Sequence, residues 1–339
     1  MRYRNLLTAS ILMAALGARP VAAETNESEG EPPEKREMPN VAAPTFGGMQ
    51  LWGDERFFHQ WRIQRHVLTG HYRLLDERDR RQAWGTRDEC EAKLAEIRRE
   101  RKLKPMSGKV VLALHGMFRT NGSMGRMRAE LERDGQYQVM CVTYPSTRDG
   151  VPEHARALAS IIAGLEGVEE INFVAHSLGN LVIRHYLADQ TDAEKGLAPD
   201  PRIKRIVMLG PPNHAPARAK LWADNKWLSG LYHTVLSSNG HYLANGWDEL
   251  APGLATPACE FGILAGGKGD GTGWHTDLPG DDDGTVTVDE TRLAGASDFL
   301  VVPIRHTFLP SDKQAIDHVR RFLDHGYFVS EASRAPIKD

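Results

Sequence analysis

The sequence predicts an α/β architecture: a mostly parallel sheet with helices on both faces, preceded by a small strand–helix unit. Three observations point there. From residue 105 onward, short apolar runs alternate with helical stretches. Those runs are continuous rather than alternating and rich in Val, Ile and Leu, as strands covered on both faces require. The segment 51–104 breaks that rhythm and reads as a separate accessory unit.

The chain has 339 residues, room for one large α/β domain with additions. At 41% hydrophobic and 26% charged it has the composition of a soluble globular protein. A net charge of −3 offers no footprint for a polyanion, so nucleic acid is not an expected partner. "MRYRN" is basic, "LLTASILMAALG" is an apolar run of signal-peptide length, and Val21 and Ala23 supply small residues for cleavage. Residues 1–23 therefore read as an export signal, with an uncleaved anchor as the alternative, and the expected location is periplasmic or secreted. The three cysteines, Cys90, Cys141 and Cys259, show neither CxxC nor zinc-like spacing, and no pairing among them is assigned. Cys141 sits inside an apolar strand and is expected to be packed and inert.

Residues 24–50 are rich in Glu, Pro and Gly and have little to bury, so they read as a disordered linker. Within 51–104, "HQWRIQRHVLTGHYRLLDE" reads as two strands around a Thr-Gly turn. "TRDECEAKLAEIRRERKLK" reads as a helix: Thr86 and Glu89 make a capping box, and Cys90, Leu94 and Ile97 form one apolar stripe. So narrow a stripe suits packing against the main domain. The basic residues of that helix suit a solvated face better than an acidic partner.

Strands are expected at 109–114, 137–144, 170–175, 202–209, 260–265 and 298–304, and helices at 123–134, 152–165 and 178–189. A last helix is placed from Ser311, with Gln314 completing a capping box. The main domain spans 105–330, with an insertion around 211–255 large enough to cap a site. Within it "KLWADNKWLSGLYHTVL" (220–236) is amphipathic and carries Trp222 and Trp227. It reads either as a cap helix packed on the sheet or as a lid making transient contact with a lipid surface.

Between the strand ending at Ala175 and the helix from Leu178 lies Ala175-His176-Ser177-Leu178-Gly179. Small residues two before and two after a serine let strand and helix approach closely, and the sharp turn exposes the hydroxyl. Such a nucleophile needs a base. The chain has 14 histidines, so position must choose among them. His306 follows a strand and precedes a helix, on the same carboxyl edge as Ser177. His275, in a Gly-rich loop, is the weaker alternative; His318 and His325 belong to the last helix, and His176 is expected to be structural. An orienting carboxylate is sought between Ser177 and His306. "DDDGTV" supplies Asp281, Asp282 and Asp283; Asp283 is favoured because it precedes a tight Gly turn, and Asp282 is next. So many carboxylates also suit an irregular calcium loop, although EF-hand spacing would need an acid at Pro279. For the oxyanion, the candidates are the backbone N–H groups of Leu178 and of Met117, in the loop that His115-Gly116 opens.

"LHGMF" (114–118), "VAHSLGN" (174–180), "LGPPNHA" (209–215), "DDDGTV" (281–286) and "RHTFL" (305–309) together resemble the α/β-hydrolase superfamily, and within it lipases and esterases. The resemblance covers roughly residues 108–325. It departs from the usual pattern at Ala175, where Gly is common, and at "LGPPNHA", an altered form of the lipase "G-T-P-H" segment. It implies an acyl-enzyme on Ser177, with Asp283 and His306 completing the triad, acting on an acyl ester or lipid substrate without cofactor or metal. Superfamily membership leaves acyl transfer, amide hydrolysis and a catalytically silent binding role open.

Overall fold

The computed structural model describes residues 43–44, 50–191, 198–215, 217 and 246–338. The expected export signal (1–23), most of the expected linker and the amphipathic stretch 220–236 lie outside the described residues.

Near the N-terminus, five antiparallel strands form one sheet in the order β1-β5-β4-β3-β2. They are β1 (Ala43–Pro44), β2 (Trp52–Phe58), β3 (Trp61–His66), β4 (Tyr72–Leu75) and β5 (Arg80–Gly85). The Thr-Gly turn joins β3 to β4 as the sequence predicts. The flanking β2 and β5 were not read from the sequence: "RRQAWG" of β5 carries only two apolar side chains, too few for a period-2 signal. Helix α1 (Arg87–Glu100) starts at the expected capping box and buries Cys90, Leu94 and Ile97.

This accessory sheet does not form a core of its own. Phe57, Phe58, Trp61 and Leu74 belong to the same buried cluster as Val110, Leu112 and Leu158 of the main domain. Polar ties fix the junction: Asp54 N donates to Thr143 O at 2.8 Å, and Thr143 N donates to the Asp54 carboxylate at 2.6 Å. Ala43 and Pro44 pair with Arg81 and Arg80, so the end of the segment read as a linker contributes a strand.

The main sheet has six parallel strands: β6 (Lys109–Leu114), β7 (Tyr137–Val142), β8 (Glu170–His176), β9 (Ile203–Leu209), β10 (Glu260–Gly266) and β11 (Asp298–Val302). Their order is β11-β10-β9-β8-β6-β7. Helices α2 (Gly125–Leu131), α3 (Val151–Ala163), α4 (Leu178–Asp189), the short α5 (Trp247–Leu250) and α6 (Val288–Thr291), and α7 (Lys313–His325) fill the connections. The pleat divides β6 cleanly. Val110, Leu112 and Leu114 face one core with α3 and α4, whereas Val111 and Ala113 face the other with α2 and α7. All five of these side chains are fully buried, each contributing about 1–3 kcal/mol of apolar burial according to its size.

Three local expectations change. The last helix is capped by Asp312, whose carboxylate accepts from Gln314 N and Ala315 N, rather than by Ser311. Asp312 prevails because its side chain reaches two of the free N–H groups of the first turn. The segment after the Gly turn, whose alternating pattern suggests an extended run, is instead helical: Thr287 caps the short helix α6 through a capping box with Glu290. Helix α2 runs only from Gly125 to Leu131, with a 3₁₀ turn at Asn121–Met124 before it.

Strand β6 lies between β7 and β8, so the chain passes to one side of β6 and then to the other. Loops leaving the carboxyl ends of β6 and β8 diverge there and open a crevice, the usual place for a site in such a sheet.

Candidate active site

Ser177 stands at that crevice, between β8 and α4. Its backbone has φ 52° and ψ −120°, a conformation that L-residues avoid. The turn survives because its surroundings leave no alternative. Ser177 N donates to Leu209 O at 3.0 Å, and Asn180 N donates back to Ser177 O at 3.0 Å. Gly179 explains the small residue two places later: a Cβ there would lie 2.8 Å from Leu114 Cβ and 3.0 Å from the carbonyl oxygens of Leu114 and His115. Two places earlier, Ala175 is fully buried, so its methyl is accommodated in the core.

Asp283 and His306 meet at the ends of β10 and β11. His306 Nδ1 lies 2.6 Å from Asp283 Oδ2, and His306 N donates to Asp283 O at 2.9 Å. The other carboxylate oxygen, Oδ1, accepts from Thr285 N at 2.9 Å and Val286 N at 2.8 Å. Asp283 is 1% exposed and His306 8%, so the pair is almost wholly shielded from water. Gly210, after β9, closes in on both: a Cβ there would sit 3.1 Å from Asp283 Oδ2 and from His306 Nδ1.

The neighbouring aspartates hold the loop. Asp281 accepts from Lys268 N and Gly269 N, and Asp282 from His275 N and Gly284 N. Asp282, the second choice for the acid, therefore bonds to the Gly-rich loop and not to His306. The Asp281 and Asp282 oxygens are turned to backbone donors, and among the described residues no three His, Cys, Asp or Glu side chains are grouped as metal ligands. His275 Nδ1 accepts from Asp277 N, so the alternative histidine is not turned to Asp283, and His318 Nδ1, in the last helix, bonds Phe328 O.

The loop after β6 lies against the serine. A Cβ on Gly116 would be 3.1 Å from Ser177 Cβ and 2.9 Å from the His176 ring. Leu178 is the first residue of α4, so its N–H has no partner within the helix. The structure thus brings Ser177, Leu178 and the Gly116-Met117 loop to one edge, and His306 to Asp283. Among the described residues the Ser177 hydroxyl has no hydrogen-bond partner, His306 included, a looseness common in substrate-free sites.

The strand order, the strained serine after β8, the acid after β10 and the histidine after β11 together define the architecture. The chain has the α/β-hydrolase fold.

No protein-family model and no curated protein matches the sequence. Solved structures do. Phospholipase PlaB from Legionella pneumophila is similar at 19% identity, over 55% of this chain and 45% of that one, with a TM-score of 0.41. A thermophilic esterase from Thermogutta terrifontis is similar at 13% identity, over 66% of this chain and 92% of that one, with a TM-score of 0.43. The Pyrococcus furiosus esterase Pf2001 is similar at 13% identity, over 86% of this chain and 99% of that one, with a TM-score of 0.43.

Several residues of this α/β-hydrolase site carry weak or no signal in the sequence. His176 is 3% exposed, its Nε2 lies 3.0 Å from His306 O, and its ring packs on the His306 ring at 4.6 Å between centroids. Burial, then the nearby His306, holds its pKa well below 6.5. A neutral His176 must donate from Nε2 to that carbonyl, which fixes its tautomer. It is structural as the sequence suggests, but what it supports is the backbone of His306. Burial also pushes His115 down to about 4; its ring stacks on Tyr144 at 4.1 Å.

The altered "LGPPNHA" segment is bound to the acid loop. Asn213 N and His214 N donate to Glu290 O, and Asn213 Nδ2 donates to Thr291 O at 2.8 Å. Buried Arg184 of α4 donates to Asn213 Oδ1 at 3.0 Å. One hydrogen-bonded set therefore joins the helix behind Ser177 to the loop that carries Asp283. No spacing rule announces such a set, because its members are far apart in the chain.

Proposed function

We propose that this protein is a serine hydrolase of carboxylic esters, of the lipase or carboxylesterase type. The observation that carries the reading is the buried Asp283–His306 pair at 2.6 Å, on the same sheet edge as a serine held at positive φ. His306 Nε2 takes the Ser177 proton as Oγ attacks the acyl carbonyl, and returns it to the leaving alcohol. Asp283 holds the proton on Nδ1, so that Nε2 is free to accept, and stabilises the imidazolium that follows. The amides of Leu178 and Met117 receive the developing oxyanion. Water, activated by the same histidine, then releases the acid from Ser177.

Export through residues 1–23 belongs to this reading, which places the enzyme in the periplasm or outside the cell. The stretch 220–236 is its candidate for lipid contact, on sequence pattern alone. Ser177→Ala is expected to abolish hydrolysis of short p-nitrophenyl esters while leaving the circular dichroism spectrum and melting unchanged. A fluorophosphonate probe should label the parent protein at Ser177 and leave the variant unlabelled. Unchanged turnover in the variant would overturn the assignment.

A further inference from the structure

A second concave feature lies between the accessory sheet and the loop after β6. This cleft, of 150 Å³, is bordered by Arg62, Arg73 and Arg119, with Gln50, Asp79 and Thr143 completing its polar wall. Arg62 and Arg73 are 7% and 6% exposed, which is unusual for guanidinium groups.

Around the cleft three guanidinium groups face two carboxylates, Asp54 and Asp79, which act on both Arg62 and Arg73. Arg62 is matched: it pairs with Asp79, lies 3.7 Å from the Asp54 carboxylate and donates to Thr143 Oγ1 at 3.0 Å. Arg73 is not. Its Nε donates to Gln64 Oε1 at 2.9 Å and its guanidinium carbon lies over the Trp52 ring, 4.0 Å from the centroid, with no carboxylate in ion-pair range among the described residues. Its two Nη groups make no hydrogen bond among the described residues, and the side chain borders the cleft. Arg119 likewise has no side-chain hydrogen bond or ion pair among the described residues. Three guanidinium groups beside two carboxylates leave one positive charge uncompensated in a part-buried place, which is costly. Burial, and next the charge of Arg62, hold Arg73 down at about 10 against the opposite pull of Asp54 and Asp79.

The cleft is also connected to the active site. Arg119 follows Met117 by two residues, its carbonyl accepts from Gln50 Nε2 at 3.1 Å, and its charge is felt at His176, beside Ser177. Planar guanidinium groups with free Nη edges are the protein's best partners for phosphate and carboxylate oxygens.

We infer that Arg73 and Arg119 form a binding site for a single oxyanion of the phosphate or carboxylate class, set beside the oxyanion loop. The anion comes either from the ester substrate itself or from free solution. The binding inference stands apart from the proposed hydrolysis; only its role as a substrate subsite rests on that reading.

The test starts with full-length Ser177→Ala protein, so that catalysis is not needed. Inorganic phosphate is titrated calorimetrically at constant ionic strength. Saturable binding is expected, weakened about tenfold or more by Arg119→Gln, the loss of one charge-assisted contact. Arg73→Gln should do the same. If that buried substitution prevents folding, Arg119→Gln, on a half-exposed loop, decides alone. No saturable binding, or unaltered affinity in every folded variant, overturns the inference. A second arm uses the active enzyme with p-nitrophenyl hemisuccinate and neutral p-nitrophenyl butyrate. Phosphate that raises KM for the hemisuccinate alone, at constant kcat, identifies the substrate's own anion as the occupant. Phosphate that changes the rate on both esters alike identifies a free anion.

Discussion

His306 Nδ1 and Asp283 Oδ2 are 2.6 Å apart, and the second Asp283 oxygen is held by two backbone N–H groups. The carboxylate is thereby locked in one orientation, and it dictates which imidazole nitrogen carries the proton. Asp283→Asn keeps an oxygen for Thr285 N and Val286 N but turns an NH₂ toward His306. The imidazole must then accept at Nδ1 and carry its proton on Nε2, where it no longer serves as a base. We expect kcat on p-nitrophenyl esters to fall by about a thousandfold or more with folding intact. Steady-state kinetics alongside a thermal melt would check it; a loss under tenfold would contradict this role for Asp283.

Ser177 at φ 52° places a strained residue at the proposed reacting centre. Glycine adopts that conformation without strain, whereas alanine bears the same Cβ strain as serine. Ser177→Gly and Ser177→Ala should both be inactive, yet the glycine variant should be the more stable by about 1 kcal/mol. Urea denaturation of the two variants measures the difference directly. Equal stability would mean that the turn stores no strain.

Gly179 packs against backbone, which cannot swing aside as a flexible side chain can. A Cβ placed 3.0 Å from two carbonyl oxygens forces α4 away from β6. Gly179→Val should cost about 1–3 kcal/mol of stability. It should also lower kcat/KM, because Leu178 and the Met117 loop move apart. A variant with parental melting temperature and activity would refute the packing argument.

His115 is fully buried and neutral, with a pKa lowered to about 4 by burial. Between that value and about 6.5 the unfolded chain binds a proton at this site and the folded chain does not. Its contribution to stability therefore declines as pH falls through that window, by about 1.4 kcal/mol per pH unit. His115→Gln removes this dependence. The stability difference between variant and parent should shift in the variant's favour from pH 6.5 to pH 4. Parallel stability–pH curves for the two proteins would contradict it. His154, lowered to about 3 by burial and then by the nearby His115, should behave in the same sense.

The parallel strands were legible because residues buried on both faces must be apolar throughout, as "KVVLAL" of β6 is. β5 was not: one of its faces is polar and its partners come from the far side of a hairpin. The cap of the last helix was misplaced by one residue, since Ser311 and Asp312 both satisfy the local rule and only geometry separates them. Among three adjacent aspartates the sequence favoured the one that meets His306, by its place before a turn. It held no information on what the other two do, because their partners are backbone N–H groups of a loop.

By itself the sequence determined the six parallel strands and the longer helices, the tight serine turn and the candidates Ser177, Asp283 and His306 in that chain order. These follow from local rules: apolar runs, capping residues and small residues around a nucleophile. Tertiary structure decided everything that depends on convergence. It set His176 against His306, tied Asn213 to the acid loop and brought Arg73 within one cleft of Arg119. Such contacts join residues far apart in the chain, and no local pattern encodes them. Whether a buried charge finds a partner is settled only when the surfaces meet.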